Sequence, residues 1–342
     1  MVDFDNNIVL HNASFGSEHL LVENQFLIRG FQEVIISVRN AEKTSEFYCK
    51  VAGWKFIHQA VLSDRQLKFW GLSTDLDATE ILLHNPGDSE GFLRVISFGD
   101  VKQKHIRSSS QSWDTGGIYD IDVRVLDLQN SYEEFRSAGW TAYNDPLEYE
   151  FDKFHISEVL LHGPEDIVVA LIQRHKPTLE GYPNLRKLSH IFNSSQIVED
   201  IEVSKQFYMD VLGFKIYMEH NLVGSETGEN LFGLPKNLYK EVERRICILH
   251  PEGFNLGSVE LIQLVGVEGT SYADDAVPPN LGILSLRFPV LNMAALIFRL
   301  ESKEVKILND DKIMIEPYGL SHTICIQSPD GAWLEFFEIC NS

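Results

Sequence analysis

Two glutamates stand inside apolar, strand-like segments, where burying a carboxylate without a partner would be costly. Glu335 lies between Leu334 and Phe336, and Glu260 lies in a similar run between two apolar residues. Because neighbouring residues of a β-strand point to opposite faces of its sheet, each glutamate points away from the apolar side chains beside it. Both are therefore candidates for chemistry rather than core packing, and Glu335 is the stronger one.

Two arginines occupy equivalent positions in two other strand-like segments. Arg124 follows Asp120, and Arg287 follows Ile283, each after two alternating steps along the strand. A guanidinium that faces a cavity can bind a substrate carboxylate through two parallel hydrogen bonds. Common ancestry and a surface ion pair explain the paired placement equally well, so both interpretations remain open.

The composition indicates a globular protein with no nucleic-acid or membrane partner. The 342 residues are 44% apolar, which suits two or more domains with substantial cores. The 50 acidic residues outnumber the 29 basic ones and give a net charge of −21, which repels phosphate backbones and anionic lipids. No apolar stretch is long enough to span a bilayer, and the four cysteines show no CxxC spacing. The expected compartment is the reducing cytoplasm.

The chain contains an internal repeat with a period of about 160 residues. Its paired motifs are Phe47-Tyr48 with Phe207-Tyr208, Gly53-Trp54 with Gly213-Phe214, Phe69-Trp70-Gly71-Leu72 with Leu231-Phe232-Gly233-Leu234, and Ile81-Leu82-Leu83-His84 with Cys247-Ile248-Leu249-His250. Matches in the same order predict a tandem duplication. We expect an N-terminal extension over residues 1–27, a first domain over 28–175, a linker over 176–185 and a second domain over 186–342.

Each half divides again into a strand, a helix and several further strands. In the first half, a β-rich run leads into a helical segment from Ala41 to Val51. Three β-like stretches follow, at Lys55–Val61, Gln66–Gly71 and Glu80–His84. This order predicts an α+β fold with curved, mostly antiparallel sheets.

As a set, these motifs resemble the vicinal-oxygen-chelate superfamily of glyoxalases, bleomycin-resistance proteins and extradiol dioxygenases. Leu188-Ser189-His190-Ile191 opens the third module, and Ser328-Pro329-Asp330-Gly331 closes the fourth with Glu335 a few residues on. The resemblance covers about residues 28–340. It implies a tandem pair of domains, each of two βαβββ modules that form a curved, cup-shaped mixed sheet with helices outside.

The family places a metal ion on the first and last strands of the two modules in a domain. In the second domain the resemblance puts these positions at His190, Glu260, Ile283 and Glu335. One imidazole and two carboxylates suffice for Fe(II), Mn(II), Ni(II) or Zn(II) if water completes the shell. His190, Glu260 and Glu335 are therefore the expected ligands. The two-His-one-carboxylate set of the dioxygenases would need a histidine where Ile283 stands.

In the first domain the resemblance puts the same positions at Glu33, Arg94, Asp120 and Ala170. Arg94 brings a cation to a ligand position, and Ala170 offers no donor. We therefore expect no metal in this half, and we expect Arg94 to neutralise Glu33 and Asp120.

The resemblance implies a metal-dependent dioxygenase, lyase or isomerase that acts on a small oxygen-chelating, aromatic or diol substrate in the second-domain cup. The candidate catalytic residues are Glu335 and His322, and the candidate substrate-binding residues are Arg287, Tyr318 and Phe337. The alternative is a metal-free protein of the bleomycin-resistance type that binds a small ligand. A purely structural role also remains open, and either a monomer or a homodimer is feasible.

Overall fold

The structure is a computed structural model that describes residues 26–108, 111–223 and 228–340. The N-terminal extension expected over residues 1–27 therefore lies outside the described residues, apart from its last two. Within the described chain, no helix is both long enough and apolar enough to cross a membrane.

Four modules follow one another, each with a strand, a helix and further strands. The first contains β1 (Glu33–Ser37), α1 (Ala41–Ala52), β2 (Lys55–Val61), α2 (Asp64–Phe69), β3 (Thr79–His84) and β4 (Phe92–Ser97). The second contains β5 (Asp120–Val125), α3 (Leu128–Ser137), β6 (Thr141–Ala142), β7 (Leu147–Phe151), β8 (Phe154–His162) and β9 (Val168–Lys176). The third contains β10 (Leu188–Ile197), α4 (Ile201–Gln206), β11 (Lys215–Val223), β12 (Glu243–His250) and β13 (Ser258–Val265). The fourth contains β14 (Gly282–Pro289), α5 (Met293–Ser302), β15 (Asn309–Ile315), β16 (Gly319–Gln327) and β17 (Trp333–Ile339).

Local sequence signals set the limits of the first helix. The side chain of Asn40 accepts a hydrogen bond from the Lys43 backbone N–H, which satisfies a donor that the helix itself leaves free. The helix ends at Gly53, whose φ of 77° is the left-handed conformation that glycine adopts without steric cost. The helix predicted from Ala41 to Val51 is confirmed.

The prediction of a strand at Gln66–Gly71 is wrong, because most of this stretch lies in α2. Ser63 Oγ accepts a hydrogen bond from the Gln66 backbone N–H, 3.2 Å away, at the start of this helix. A serine followed three residues later by a glutamine is a recognised helix-start pattern. The helix carries Leu67 and Phe69 into a buried cluster with the strands of the first and fourth modules.

The strands form two large curved sheets. One has eight strands in the order β15-β16-β17-β14-β1-β4-β3-β2, and we call it the eight-stranded cup. The other has nine strands in the order β11-β12-β13-β10-β5-β9-β8-β6, with β7 added on β8, and we call it the nine-stranded cup. Both sheets mix parallel and antiparallel pairs, and the α+β fold with two modules per cup is confirmed.

Hydrogen bonding joins the modules across the boundary expected between the halves. The first module completes its sheet with the fourth through β1 and β14, and the second completes its sheet with the third through β5 and β10. The expectation that each half closes a cup of its own is therefore wrong. The division at residues 176–185 remains a prediction about the repeat in the sequence.

Side-chain alternation separates the two faces of the eight-stranded cup. Val34 and Ile36 of β1 pack in a cluster that contains residues of α1, α3 and α5, whereas Ile35 packs in the cluster that contains α2. The helices α1 and α5 therefore lie on the outer face of this cup, α3 packs on β8 and β9 of the other sheet, and the inner face is filled by α2 and large apolar side chains.

Candidate functional site

Four charged residues meet on the inner face of the eight-stranded cup. Glu33, Arg94, Arg287 and Glu335 come from the four adjacent central strands, and each is at most 1% exposed. Arg94 donates from Nε and Nη2 to the two oxygens of Glu33, at 2.7 and 3.0 Å. Arg287 donates from Nε and Nη2 to Glu335 Oε2, at 2.9 and 2.7 Å, and from Nη1 to Glu33. We call these four residues the ion-pair quartet.

Further polar groups complete the shell of the quartet. The Tyr318 hydroxyl donates to Glu33 Oε2 at 2.9 Å, and Trp70 Nε1 donates to Glu335 Oε1 at 2.8 Å. Burial alone would raise the pKa of Glu33, but the neighbouring arginines and their hydrogen bonds hold it below its usual value. The four residues of the quartet are thus paired with one another and bound by further hydrogen-bond donors.

Several predicted site residues are engaged in these buried hydrogen bonds and ion pairs. Glu335 was expected to bind a metal and to act in catalysis, but its carboxylate is bound by Arg287 and Trp70. Arg287 is engaged with both glutamates, and Tyr318 is bound to Glu33 and stacked on Phe337 at 5.1 Å between ring centroids. These side chains are at most 8% exposed, so the structure presents none of them to a substrate.

The predicted neutralisation in the first half is partly confirmed. Arg94 does pair with Glu33, as expected. Asp120 lies instead on β5 in the other sheet, so its pairing with Arg94 is wrong.

The strand register identifies the matching positions in the nine-stranded cup. In the eight-stranded cup Glu33 pairs with Arg287, Arg287 pairs with Glu335, and Ile35 pairs with Arg94. In the nine-stranded cup Asn193 pairs with Asp122, Asp122 pairs with Ala170, and Ser195 pairs with Glu260. The equivalent residues are therefore Asn193, Glu260, Asp122 and Ala170, which include two carboxylates and no arginine.

Carboxylates with raised pKa values accumulate at this second position. Glu260 Oε2 accepts from Asn193 Nδ2 at 2.9 Å, and Asp120 Oδ1 accepts from the Ser195 backbone N–H at 3.0 Å. Burial, together with Asp120 and Glu158, raises the pKa of Glu260 to about 8. Burial raises the pKa of Asp120 to about 6, and burial with the nearby acids raises that of Asp122 well above its usual value.

These acids line a cavity of about 630 Å³. Glu158 also lines it, hydrogen-bonded to the Tyr149 hydroxyl, and burial raises the pKa of Glu158 to about 7. Arg124 stands over the ring of Phe192 at 4.0 Å, and its Nε has no hydrogen-bond partner. The cavity also has an aromatic wall, formed by Tyr149, Phe151, Phe154, Phe192, Tyr217, Phe232 and Tyr239.

His190 does not face this cavity. Its Nδ1 lies 2.8 Å from Asp88 Oδ2, and its ring stacks on Tyr182 at 5.2 Å between centroids. It is 3% exposed and lies on β10, in the nine-stranded sheet, whereas Glu335 lies in the eight-stranded sheet. The structure therefore does not bring the predicted ligands His190, Glu260 and Glu335 together.

His322 lies on the wrong face for the role expected of it. On β16, Cys325 pairs with Glu335, and three further residues along an alternating strand place His322 on the opposite face. Its Nε2 is 2.7 Å from Asp310 Oδ1, and its side chain is 26% exposed. It therefore cannot serve as a proton acceptor beside Glu335.

Sequence reasoning missed Asp122, Asn193 and Glu158. Asp120, Asp122 and Arg124 alternate along one strand, and this pattern of charges on one face was a usable signal. Asn193 could not be predicted, because the pairing of β10 with β5 is irregular between Leu188 and Asn193. This irregularity changes which residue of β10 faces the cup.

Comparisons with known proteins agree with this architecture. The family model described as "Bleomycin resistance protein-like N-terminal" matches residues 196–228, and no curated protein matches the chain. Glyoxalase I from Zea mays is similar over 92% of this chain and 93% of its own, with a TM-score of 0.61 and 15% identity. A putative dioxygenase from Bacillus subtilis is similar over 92% of this chain and 87% of its own, with a TM-score of 0.55 and 10% identity. The chain therefore has the fold of the vicinal-oxygen-chelate superfamily, and the resemblance seen in its sequence is confirmed.

Proposed function

We propose that this protein is a metal-dependent enzyme of the glyoxalase/dioxygenase type that acts on a small oxygen-bearing molecule in the nine-stranded cup. One observation supports this site above all others: carboxylates with raised pKa values line a 630 Å³ cavity at the register positions that ion pairs fill in the other cup. A bound cation would offset the cost of ionising these buried acids.

The donors at this site fit a hard divalent ion. Asp120, Asp122 and Glu260 offer only carboxylate oxygens, which suit Mn(II) or Mg(II) better than Fe(II), Ni(II) or Zn(II). Their ligand atoms do not all lie within 4.8 Å of one another, so the three side chains would have to move closer together to hold one ion. The ion would supply Lewis-acid stabilisation of negative charge on the substrate oxygens.

The chain's own residues supply the remaining chemistry. Glu158 has a pKa of about 7, so at neutral pH it can either hold or accept a proton at its carboxylate while Tyr149 orients it. Arg124 offers an unpartnered Nε to an anionic group of the substrate. The aromatic wall excludes water from the apolar part of the substrate.

The test is Mn(II) binding to tag-free, chelator-treated protein, measured by isothermal titration calorimetry. The variants are Glu260→Gln and Asp122→Asn, and the matched control is Glu219→Gln, whose side chain is held by Lys205 at 2.8 Å rather than facing the cavity. We expect one Mn(II) to bind the wild type and the control, and affinity to fall at least about 10-fold in both cavity variants. A wild type that binds no Mn(II), or cavity variants that bind it as well as the control does, would contradict the proposal.

A second candidate function is metal-free binding of a small aromatic cation, of the bleomycin-resistance type. The family model's match supports it, because residues 196–228 include Tyr217, Met218 and His220 of the cavity wall. Aromatic faces beside carboxylates suit an organic cation. Thermal stabilisation by cationic aromatic compounds that persists in EDTA and is lost in Glu260→Gln would favour this function over the enzyme.

A further inference from the structure

Three potential metal ligands meet at the rim of the nine-stranded cup, and none of them is one of the carboxylates discussed so far. Glu148 of β7, His155 of β8 and His175 of β9 each offer one ligand atom, and these atoms all lie within 4.8 Å of one another. Among the described residues, no other group of three histidine, cysteine or acidic side chains brings its ligand atoms within this distance. We call it the rim cluster.

Strand pairing creates the rim cluster. His155 Nε2 lies 2.6 Å from Glu148 Oε1 across the β7–β8 pair. The β8–β9 register shifts at this point, so that His155 pairs with Lys176 while Ile156 pairs with Arg174. His175 is thus the extra residue of a β-bulge, a device that commonly redirects a side chain near functional sites.

The bulge brings the second imidazole beside the first. The ring centroids of His155 and His175 are 4.7 Å apart, and His175 Nε2 lies 2.8 Å from Ser157 Oγ. The hydroxyl of Ser157 can therefore fix the orientation of the His175 ring, as hydrogen-bonding groups around metal ligands commonly do.

We propose that the rim cluster binds a divalent transition-metal ion, with Zn(II), Co(II) and Ni(II) as the class that its donors favour. Two imidazole nitrogens and one carboxylate oxygen form the mixed donor set that these ions prefer. The set of Asp120, Asp122 and Glu260, which we call the cavity floor, offers oxygen atoms only. Three protein ligands leave at least one coordination position open for water or another molecule. The net charge of −21 also favours cation binding near this surface.

The second imidazole distinguishes the rim cluster from ordinary ion pairs in the same protein. His322 with Asp310 and His105 with Asp166 also combine one imidazole with one carboxylate at 2.6 to 2.7 Å. Neither pair belongs to a group of three ligands in the described chain. A simple surface ion pair does not need a bulge that places another histidine against it.

The position of the rim cluster links it to the cavity. Glu148 lines the cavity together with its neighbours Tyr149 and Glu150. An ion held there would lie at the cavity mouth, where its open coordination position could take an oxygen or nitrogen atom of an entering molecule. This role is separate from the cavity-floor ion proposed above and does not depend on it.

The test is a Co(II) titration of the full, tag-free chain, followed by visible absorption and calorimetry, with Zn(II) competition. The variants are His155→Ala, His175→Ala and Glu148→Gln, and the matched control is His322→Ala. We expect saturable Co(II) binding in the wild type and the control, displaced by Zn(II), and a loss of affinity of at least about 10-fold in each histidine variant. Wild type without a saturable Co(II) spectrum, or histidine variants that bind like the control, would overturn the proposal.

A crossed measurement keeps the two proposed metal sites distinct. Glu260→Gln should lose Mn(II) binding but retain the Co(II) spectrum, whereas His155→Ala should lose the spectrum but retain Mn(II) binding. Loss of the Co(II) spectrum in a Glu260→Gln protein of unchanged thermal stability would overturn the rim cluster as an independent site.

Discussion

The two cups place opposite charge arrangements at the same four register positions. The eight-stranded cup carries two acids and two arginines, all paired and almost completely buried. The nine-stranded cup carries Asp122 and Glu260 with Asn193 and Ala170, and further acids lie beside them around a cavity. One repeated architecture therefore holds a closed, ion-paired polar core in one copy and an acidic, open site in the other.

The difference suggests a division of roles between stability and function. A buried ion pair contributes little net stability compared with apolar packing, but breaking one leaves an uncompensated charge and is strongly destabilising. Buried acids without counter-ions weaken the fold when they ionise, unless a bound cation offsets the cost. We therefore expect the quartet to matter for folding and the acidic site to matter for binding.

The largest expected effect is the loss of a quartet member. Glu335→Ala removes the carboxylate that accepts from Arg287 Nε and Nη2 and leaves Glu33 as the remaining partner of this buried arginine, and we expect a loss of about 3–5 kcal/mol in the free energy of unfolding. Urea denaturation followed by circular dichroism measures it. Glu260→Ala in the other cup should reduce the free energy of unfolding far less in the absence of metal. Equal reductions from both variants would contradict the proposed difference between the two cups.

A smaller effect is expected from the hydrogen bond that saturates the quartet. Trp70→Phe removes the indole N–H that donates to Glu335 Oε1, and a bond to a charged group contributes about 1.5–3 kcal/mol. Trp54→Phe is the matched control, because its indole donates to the neutral backbone oxygen of Ser189 at 3.1 Å. A larger loss from Trp54→Phe, in the same denaturation assay, would argue against a stabilising role for the hydrogen bond to Glu335.

The two cups should also differ in how their stability depends on pH. Glu260 and Glu158 have raised pKa values of about 8 and 7, so their stabilisation is complete below the ordinary carboxylate pKa and is lost as pH rises through 7 and 8. Glu33 has a lowered pKa, so its contribution is lost only on acidification. We expect the metal-free protein to lose stability between about pH 5 and pH 8 and to change little above that range.

Glu260→Gln should reduce this slope by on the order of 1 kcal/mol per pH unit, because it removes one of the titrating groups. Thermal unfolding at a series of pH values in EDTA measures the slope, with Glu219→Gln as the control. A variant that keeps the full wild-type slope would show that Glu260 ionises normally in the folded protein.

The fold was predictable because its signals are local. The repeated Phe-Tyr and Gly-aromatic motifs, and a helix begun by Asn40 and ended by Gly53, are set by residues close in sequence. The pairing of the first module with the fourth depends on contacts between segments about 250 residues apart, which no local pattern specifies.

The candidate site was harder to predict because register decides which side chains face a cup. An irregularity of one residue moves every later side chain to the other face. Such irregularities occur in β1 against β14 and in β10 against β5. The first turns Ile283 to the outer face while Arg287 faces the cup, and the second brings Asn193 to the cup where His190 was expected. Glu260 and Glu335 were placed on cup-facing positions correctly, but they belong to different cups.

The smallest expected effect comes from an ion pair outside both cups. His322 and Asp310 lie on the outer face of the eight-stranded sheet, and both are partly exposed, so water and salt screen their attraction. We expect His322→Ala to change the free energy of unfolding by less than about 1 kcal/mol and to leave Mn(II) and Co(II) binding unchanged. An effect approaching that of Glu335→Ala would mean that His322 reaches the quartet, and the contrast between a closed cup and an open one would then need another basis than burial.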